Sequence, residues 1–190
     1  KQRDLARLKK IAIKHSITVL AAITLWAAAD SWASTSSLGL AHIVSMLNAI
    51  FAGTIISYHF HEWGHFSGAR LSGAVSPVLK EPRTFFMFGF KYSANSRGQF
   101  LAMSAGGPIA NWGLVILVLL ALPQETTSQI LLLATTFAIA VSVSVFEFPV
   151  INRVMYGDDP EATIATRQEE TGSMPRNVGI VAGAALFFIL

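Results

Sequence analysis

Cysteine is absent from this 190-residue chain. That excludes disulfides and thiolate metal sites, and it leaves the redox compartment unread. Charge is scarce as well: 13% of the residues are Asp, Glu, Lys or Arg, where a soluble domain carries about a quarter. No basic run is interleaved with aromatics, so nucleic-acid binding has no footing. What remains is 53% hydrophobic with a mean hydropathy of +0.53. An integral membrane protein with one domain, residues 1–190, is the class these values allow. The chain starts at Lys1 rather than Met and stops inside an apolar run at Leu190, and so reads as part of a longer protein.

The apolar residues gather into runs long enough to cross a bilayer at ~1.5 Å per helical residue. After a basic head, the first run covers about 11–33. Its exit, Trp32-Ala33-Ser34, also suits a signal peptide, but the run is longer than a signal core and reads as a retained span. A polar turn, 34–39, leads to a second span at about 40–71. Asn48, Gly53 and Ser57 in that span are small or polar positions of the kind that helix contacts use. A third span covers about 99–122. Its Gly106-Gly107-Pro108 is expected to break or kink the helix and to let another backbone come close, and Asn111 needs a polar partner in the bilayer. The fourth span covers about 130–150. A polar loop and a short amphipathic helix to about Glu170 follow, and a fifth span begins near Val178 and runs to 190. Residues 74–92 differ: 75–79 and 84–92 are β-prone and aromatic around Lys80-Glu81-Pro82-Arg83, which reads as a hairpin. Phe85, Phe86, Met87, Phe88 and Phe90 are too apolar for a water-exposed loop, so this segment either dips into the membrane or anchors at its interface. The expected fold is an all-α polytopic membrane protein with at least four transmembrane helices, the start of a fifth and one short membrane-associated hairpin.

Positive charge sorts by segment. Six Lys and Arg lie in the head to Lys14, five in 70–97 and three in 153–176, which accounts for all fourteen. The turns at 34–39 and 123–129 hold none. Four spans alternating between these segments put every positive charge on one side, and the positive-inside rule makes that side cytoplasmic. The amino terminus and the end of span two are expected there.

His61-Glu62-Trp63-Gly64-His65 stands at that end of span two. Residues four apart share a helix face, so His61 and His65 can both point at one ion, and two neutral imidazoles suit Zn²⁺. Glu62 stands beside them as the candidate base for a metal-activated water. His59, two residues from His61, faces away on a regular helix and reads as a packing residue. His15 and His42 read as structural or interfacial. Two imidazoles need a third ligand from the same side. Asp158 and Asp159 qualify, although Asp before a helix is also a favoured N-cap. Glu147, a carboxylate within span four, is the second choice.

Together, the His-Glu-x-x-His motif on a membrane helix, Gly107-Pro108-Ile109-Ala110-Asn111, and a later Pro-then-Asp segment resemble the site-2 protease family of intramembrane zinc metalloproteases. The resemblance covers about residues 40–165. It implies a strand-rich membrane-entering segment after the motif, where 74–92 stands. It also implies a third ligand in an Asn-x-x-Pro…Leu-Asp-Gly stretch. Here the chain reads Phe146-Glu147-Phe148-Pro149 and then Gly157-Asp158-Asp159-Pro160. Glu147 replaces the Asn, the spacing from Pro to Asp is longer, and no Gly follows the Asp. Because Pro160 favours the first helical turn, Asp159 is the cap and Asp158 the preferred ligand.

The function expected from these features is zinc-dependent hydrolysis of a peptide bond in or near a transmembrane segment. Glu62 is the general acid–base, Asn111 the substrate-binding residue, and His61, His65 and Asp158 or Asp159 the zinc ligands. A strand in 74–92 is placed to hold the substrate extended by strand addition. The partners implied are a membrane-protein substrate, the lipid bilayer and further membrane-protein subunits. The alternative is a non-catalytic subunit of the same fold that acts by contact. A metal transporter calls for ionisable residues strung along the spans, whereas here they gather at one depth. Five His are too few for a membrane His-box oxidoreductase.

Overall fold

The computed structural model describes residues 2–83 and 86–190, with only the backbone at 82 and 83. Among these residues it is built of six α-helices and one two-stranded sheet. The elements in order are α1 (Gln2–Thr35), α2 (Gly39–Leu71), β1 (Val78–Arg83), β2 (Phe86–Phe88), a 3-10 turn at Tyr92–Ala94, α3 (Arg97–Ala121), α4 (Thr127–Met155), α5 (Pro160–Thr171) and α6 (Met174–Ile189). Helices α1 to α4 are long and apolar enough to cross a membrane, and α5 with α6 makes a fifth if that pair, bent by 65°, counts as one.

Local chemistry accounts for the boundaries. Helix α2 ends in a Schellman motif: Ala74 N–H reaches the Ala69 carbonyl and Gly73 N–H the Arg70 carbonyl, while Gly73 takes φ +72°. Helix α3 starts on a capping box between Ser96 and Gln99. Helix α4 starts at Thr126, whose hydroxyl accepts from Gln129 N–H. Asp159 caps α5, with Pro160 in its first turn.

Three expectations change. The basic head is helical, so α1 begins at Gln2 and not near residue 11. Helix α3 runs unbroken through Gly106-Gly107-Pro108. Helix α4 passes Pro149 and ends at Met155, beyond the expected 150. Proline leaves the carbonyl four residues back without its helical donor. For Pro149 that carbonyl is Val145, and Arg167 of α5 donates to it at 2.8 Å. The replacement donor lets α4 continue and fixes α5 against it.

Helix α2 packs against α1, α3 and α4. The main core joins Trp26 of α1, Ile56 of α2, Leu114 and Val118 of α3, and Leu132 and Leu133 of α4. At one end Asp4 meets Arg70, and Arg97 donates to the Gly157 carbonyl. At the other end the buried Asp30 accepts from Thr126 and Gln129, and Trp26 donates to Ser128. The helices therefore alternate in direction. On the outward faces large apolar side chains stay exposed at helical spacing, including Ile13, Ile17 and Leu20 on α1 and Leu40, Ile43 and Leu47 on α2.

Helices α2 and α3 touch through small residues. A Cβ added to Gly64 would collide with the Gly106 carbonyl oxygen, and one added to Gly68 with the Ala102 oxygen. Such close approach is what small residues one turn apart permit. The expected close backbone contact at Gly106 is thus present, and its partner is Gly64.

The hairpin forms where 74–92 was read as strand-like, with Val78 opposite Phe88 and Arg83 opposite Phe86 in an irregular antiparallel register. Thr84 and Phe85 lie outside the described residues. Val78 and Met87 bury against Ile11 of α1 and Phe66 of α2.

Candidate metal centre

The two motif histidines lie one turn apart on the face of α2 that meets α3 and α4. Helix α3 orients both rings. Asn111 donates through Nδ2 to the Ser57 carbonyl at 3.1 Å, which fixes its amide so that Oδ1 faces His61. His61 Nδ1–H donates to that oxygen at 2.8 Å, and His65 Nδ1–H donates to the Met103 carbonyl at 2.8 Å. With both Nδ1 atoms protonated, both neutral rings present Nε2 as a lone pair.

Those lone pairs point at each other. His61 Nε2 and His65 Nε2 are 2.9 Å apart. Glu147 Oε1 of α4 lies 3.1 Å from the first and 3.2 Å from the second. A carboxylate and two neutral imidazole lone pairs at these distances repel unless a proton or a metal ion lies among them. Glu147 Oε2 is buried without a hydrogen-bond partner. A tetrahedral zinc with bonds of about 2.0–2.1 Å separates its donors by roughly 3.3 Å, close to the spacing seen. Three donors with a cavity on the fourth side match the open geometry of catalytic zinc. Hydrogen bonds from Nδ1 to a carboxamide and a carbonyl are the support that metal-binding imidazoles use.

Among the described residues this is the one group of three His, Asp or Glu able to converge on an ion. The sequence ranked Asp158 and Asp159 above Glu147, and the structure reverses that order geometrically. Asp158 pairs with Arg153 at 3.0 Å at the exposed end of α4. Asp159 spends its carboxylate on the Ala162 N–H of α5. Asn111 was expected to hold substrate, but it is 1% exposed and both ends of its amide are engaged within the protein. It orients His61 instead. His59 faces away from the group, with Nδ1–H on the Ile55 carbonyl and its ring edge-on to His15 at 4.5 Å. His15 accepts from Trp63 Nε1–H at 3.1 Å and ties α1 to α2.

Glu62 is buried at the cavity wall, and its Oε1 accepts from the Met87 N–H of β2 at 2.8 Å. The cavity in front of the group measures ≈ 630 Å³. Phe86, Phe88, Phe90 and Tyr92 form one wall, Phe146 and Val150 of α4 another, and Gln168 and Arg176 stand at the α5–α6 side. Burial, then the nearby carboxylates of Glu161 and Asp159, push the Tyr92 phenol above its usual range, so it stays a neutral hydroxyl.

Gly107 was missed in its particular role. A Cβ there would lie 2.5 Å from Cε1 of both His61 and His65 and 2.6 Å from His65 Nε2. The imidazoles lie directly on the α3 backbone. The sequence signal for that packing was the small-residue spacing Gly64/Gly68 facing Ala102/Gly106/Ala110. Comparison of the chain with models of protein families, with characterised proteins and with solved structures gives no match.

Proposed function

We propose that this chain is a multi-pass integral membrane protein that uses zinc to hydrolyse a peptide bond in or near a transmembrane segment of another membrane protein. The observation that carries the reading is the convergence of His61 Nε2, His65 Nε2 and Glu147 Oε1. Four long apolar helices with exposed Leu and Ile support a bilayer around them. The one-sided Lys and Arg support an amino terminus and a metal site toward the cytoplasm.

Bound zinc supplies a Lewis acid and lowers the pKa of a water toward ~7. His61, His65 and Glu147 hold it, and Asn111 and the Met103 carbonyl keep both imidazoles aimed. Glu62 takes the proton of the attacking water and delivers it to the leaving amine. Phe86, Phe88 and Phe90 exclude bulk water and receive the apolar flanks of the substrate. A helix hides its peptide bonds, so the substrate enters locally unwound.

The non-catalytic reading draws on one observation: Glu147 stands where the family resembled has an Asn. Metal content together with the effect of Glu62→Gln separates the two. Elemental analysis of purified protein is expected to give about one zinc per chain in the wild type and in Asp158→Ala, and little in Glu147→Ala. Zinc kept by Glu147→Ala and lost from Asp158→Ala would overturn the ligand set. Cleavage of a candidate substrate that survives Glu62→Gln in a folded, zinc-loaded protein would overturn the catalytic role.

A further inference from the structure

The hairpin is gripped along both strands. Val78 of β1 gives its N–H to Asp4 Oδ1 at 2.9 Å, and its carbonyl accepts from Arg7 Nη1 at 3.3 Å. Two side chains from the first turns of α1 thus stand in for a third strand. Asp4 Oδ2 accepts from Arg70 Nη2 at 2.6 Å, in the last turn of α2. The Arg70 guanidinium lies over the Phe66 ring at 4.8 Å, and Phe66 packs on Phe88 with centroids 5.5 Å apart. On the second strand, the buried Met87 gives its N–H to Glu62.

We infer that Asp4, held by Arg70, is a positioning residue for Glu62: it clamps β1 so that the Met87 amide stays on the Glu62 carboxylate. The functional consequence rests on Glu62 being the proton carrier proposed above; the clamp itself does not. Two short strands alone are marginal in stability. The hairpin therefore owes its place to what grips it, and hydrogen bonds to an ionised carboxylate are the stronger kind. A Glu side chain has several rotatable bonds, and a buried N–H aimed at one oxygen removes much of that freedom. Asp4 and Arg70 remain 31% and 39% exposed, so the grip is open to solvent and salt.

Hydrogen exchange of the purified full chain in lipid nanodiscs tests the clamp without metal or substrate. In Asp4→Asn the Met87 amide is expected to exchange about tenfold faster than in the wild type, while amides of the α3 core keep their rate. Lys9→Gln, which removes one charge from the same head, is expected to change nothing, and Asp4→Glu to restore slow exchange. A faster Val78 amide with an unchanged Met87 amide would show that Asp4 only tethers α1, and the inference fails. A second variant keeps the test independent of Asp4. Arg70→Gln, which removes the group that holds Asp4, is expected to speed exchange at Met87 in the same way. An unchanged Met87 amide in Arg70→Gln overturns the clamp even if Asp4→Asn proves unstable. In a cleavage assay Asp4→Asn is expected to lower kcat about tenfold with KM unchanged. If the wild type cleaves nothing, the hydrolase reading fails while the exchange results still decide the clamp.

Discussion

Gly107 and His65 are in contact across the α2–α3 interface, so close that a methyl group on Gly107 would lie 2.6 Å from Nε2 of the imidazole. The backbone of α3 is the floor of the candidate metal centre. Gly107→Ala is expected to push both rings off their Nδ1 partners, to remove most bound zinc and to cost about 1–3 kcal/mol as an overpacked contact. Gly113→Ala is the control: a Cβ there meets nothing within 4 Å, and the helix gains up to ~1 kcal/mol. Thermal unfolding and zinc content of the two variants check the contrast. Equal behaviour would remove the steric account.

Asn111 joins His61 to the Ser57 carbonyl. Asn111→Leu leaves the carbonyl without its donor and His61 without its orienting acceptor. Zinc affinity is expected to fall about 10–100-fold, the usual effect of losing such support. A competition titration with a chelator measures it. A loss confined to substrate KM, with zinc affinity intact, would return Asn111 to the substrate-binding role first expected.

Acid is expected to empty the centre. Both imidazoles must be neutral to ligate, so protonation competes with the ion and zinc affinity falls as pH falls. Chelator competition between about pH 8 and 5 tests this, and an affinity independent of pH would overturn ligation by the two His.

Asp30 fastens the opposite end of the bundle through Thr126 and Gln129. Asp30→Ala leaves those donors unpaired and is expected to cost roughly 1–3 kcal/mol. Zinc content is expected to stay unchanged, because His61, His65 and Glu147 lie toward the other end. Denaturant unfolding in lipid, together with metal analysis, separates the two effects.

Local pattern carried much of this protein. Hydropathy alone located the four long helices, because each apolar run exceeds what a soluble helix needs. The spacing of His61 and His65 predicted their shared face, because four residues make about one turn. Asp159 was legible as a cap from its place before Pro160. Helix ends were less legible. The run to Met155 depended on Arg167 serving the carbonyl that Pro149 abandons, a partner 22 residues away in sequence.

The third member of the centre was beyond the sequence. A carboxylate within an apolar helix is costly unless a charge or donor meets it, and nothing local to Glu147 supplies one. Its neighbours are two imidazoles more than 80 residues away, brought to 3.1 and 3.2 Å by the packing of α4 on α2, and the three together form a donor set for a cation. Asp158, polar and near the surface, needed no such partner and was easier to rank first. The sequence by itself determined the long apolar helices and the shared face of His61 and His65 on α2, since both follow from the pattern along one helix. The choice of Glu147, the turn of Asn111 toward His61 and the hold of Met87 on Glu62 were decided only by tertiary structure, since each depends on which helix faces which.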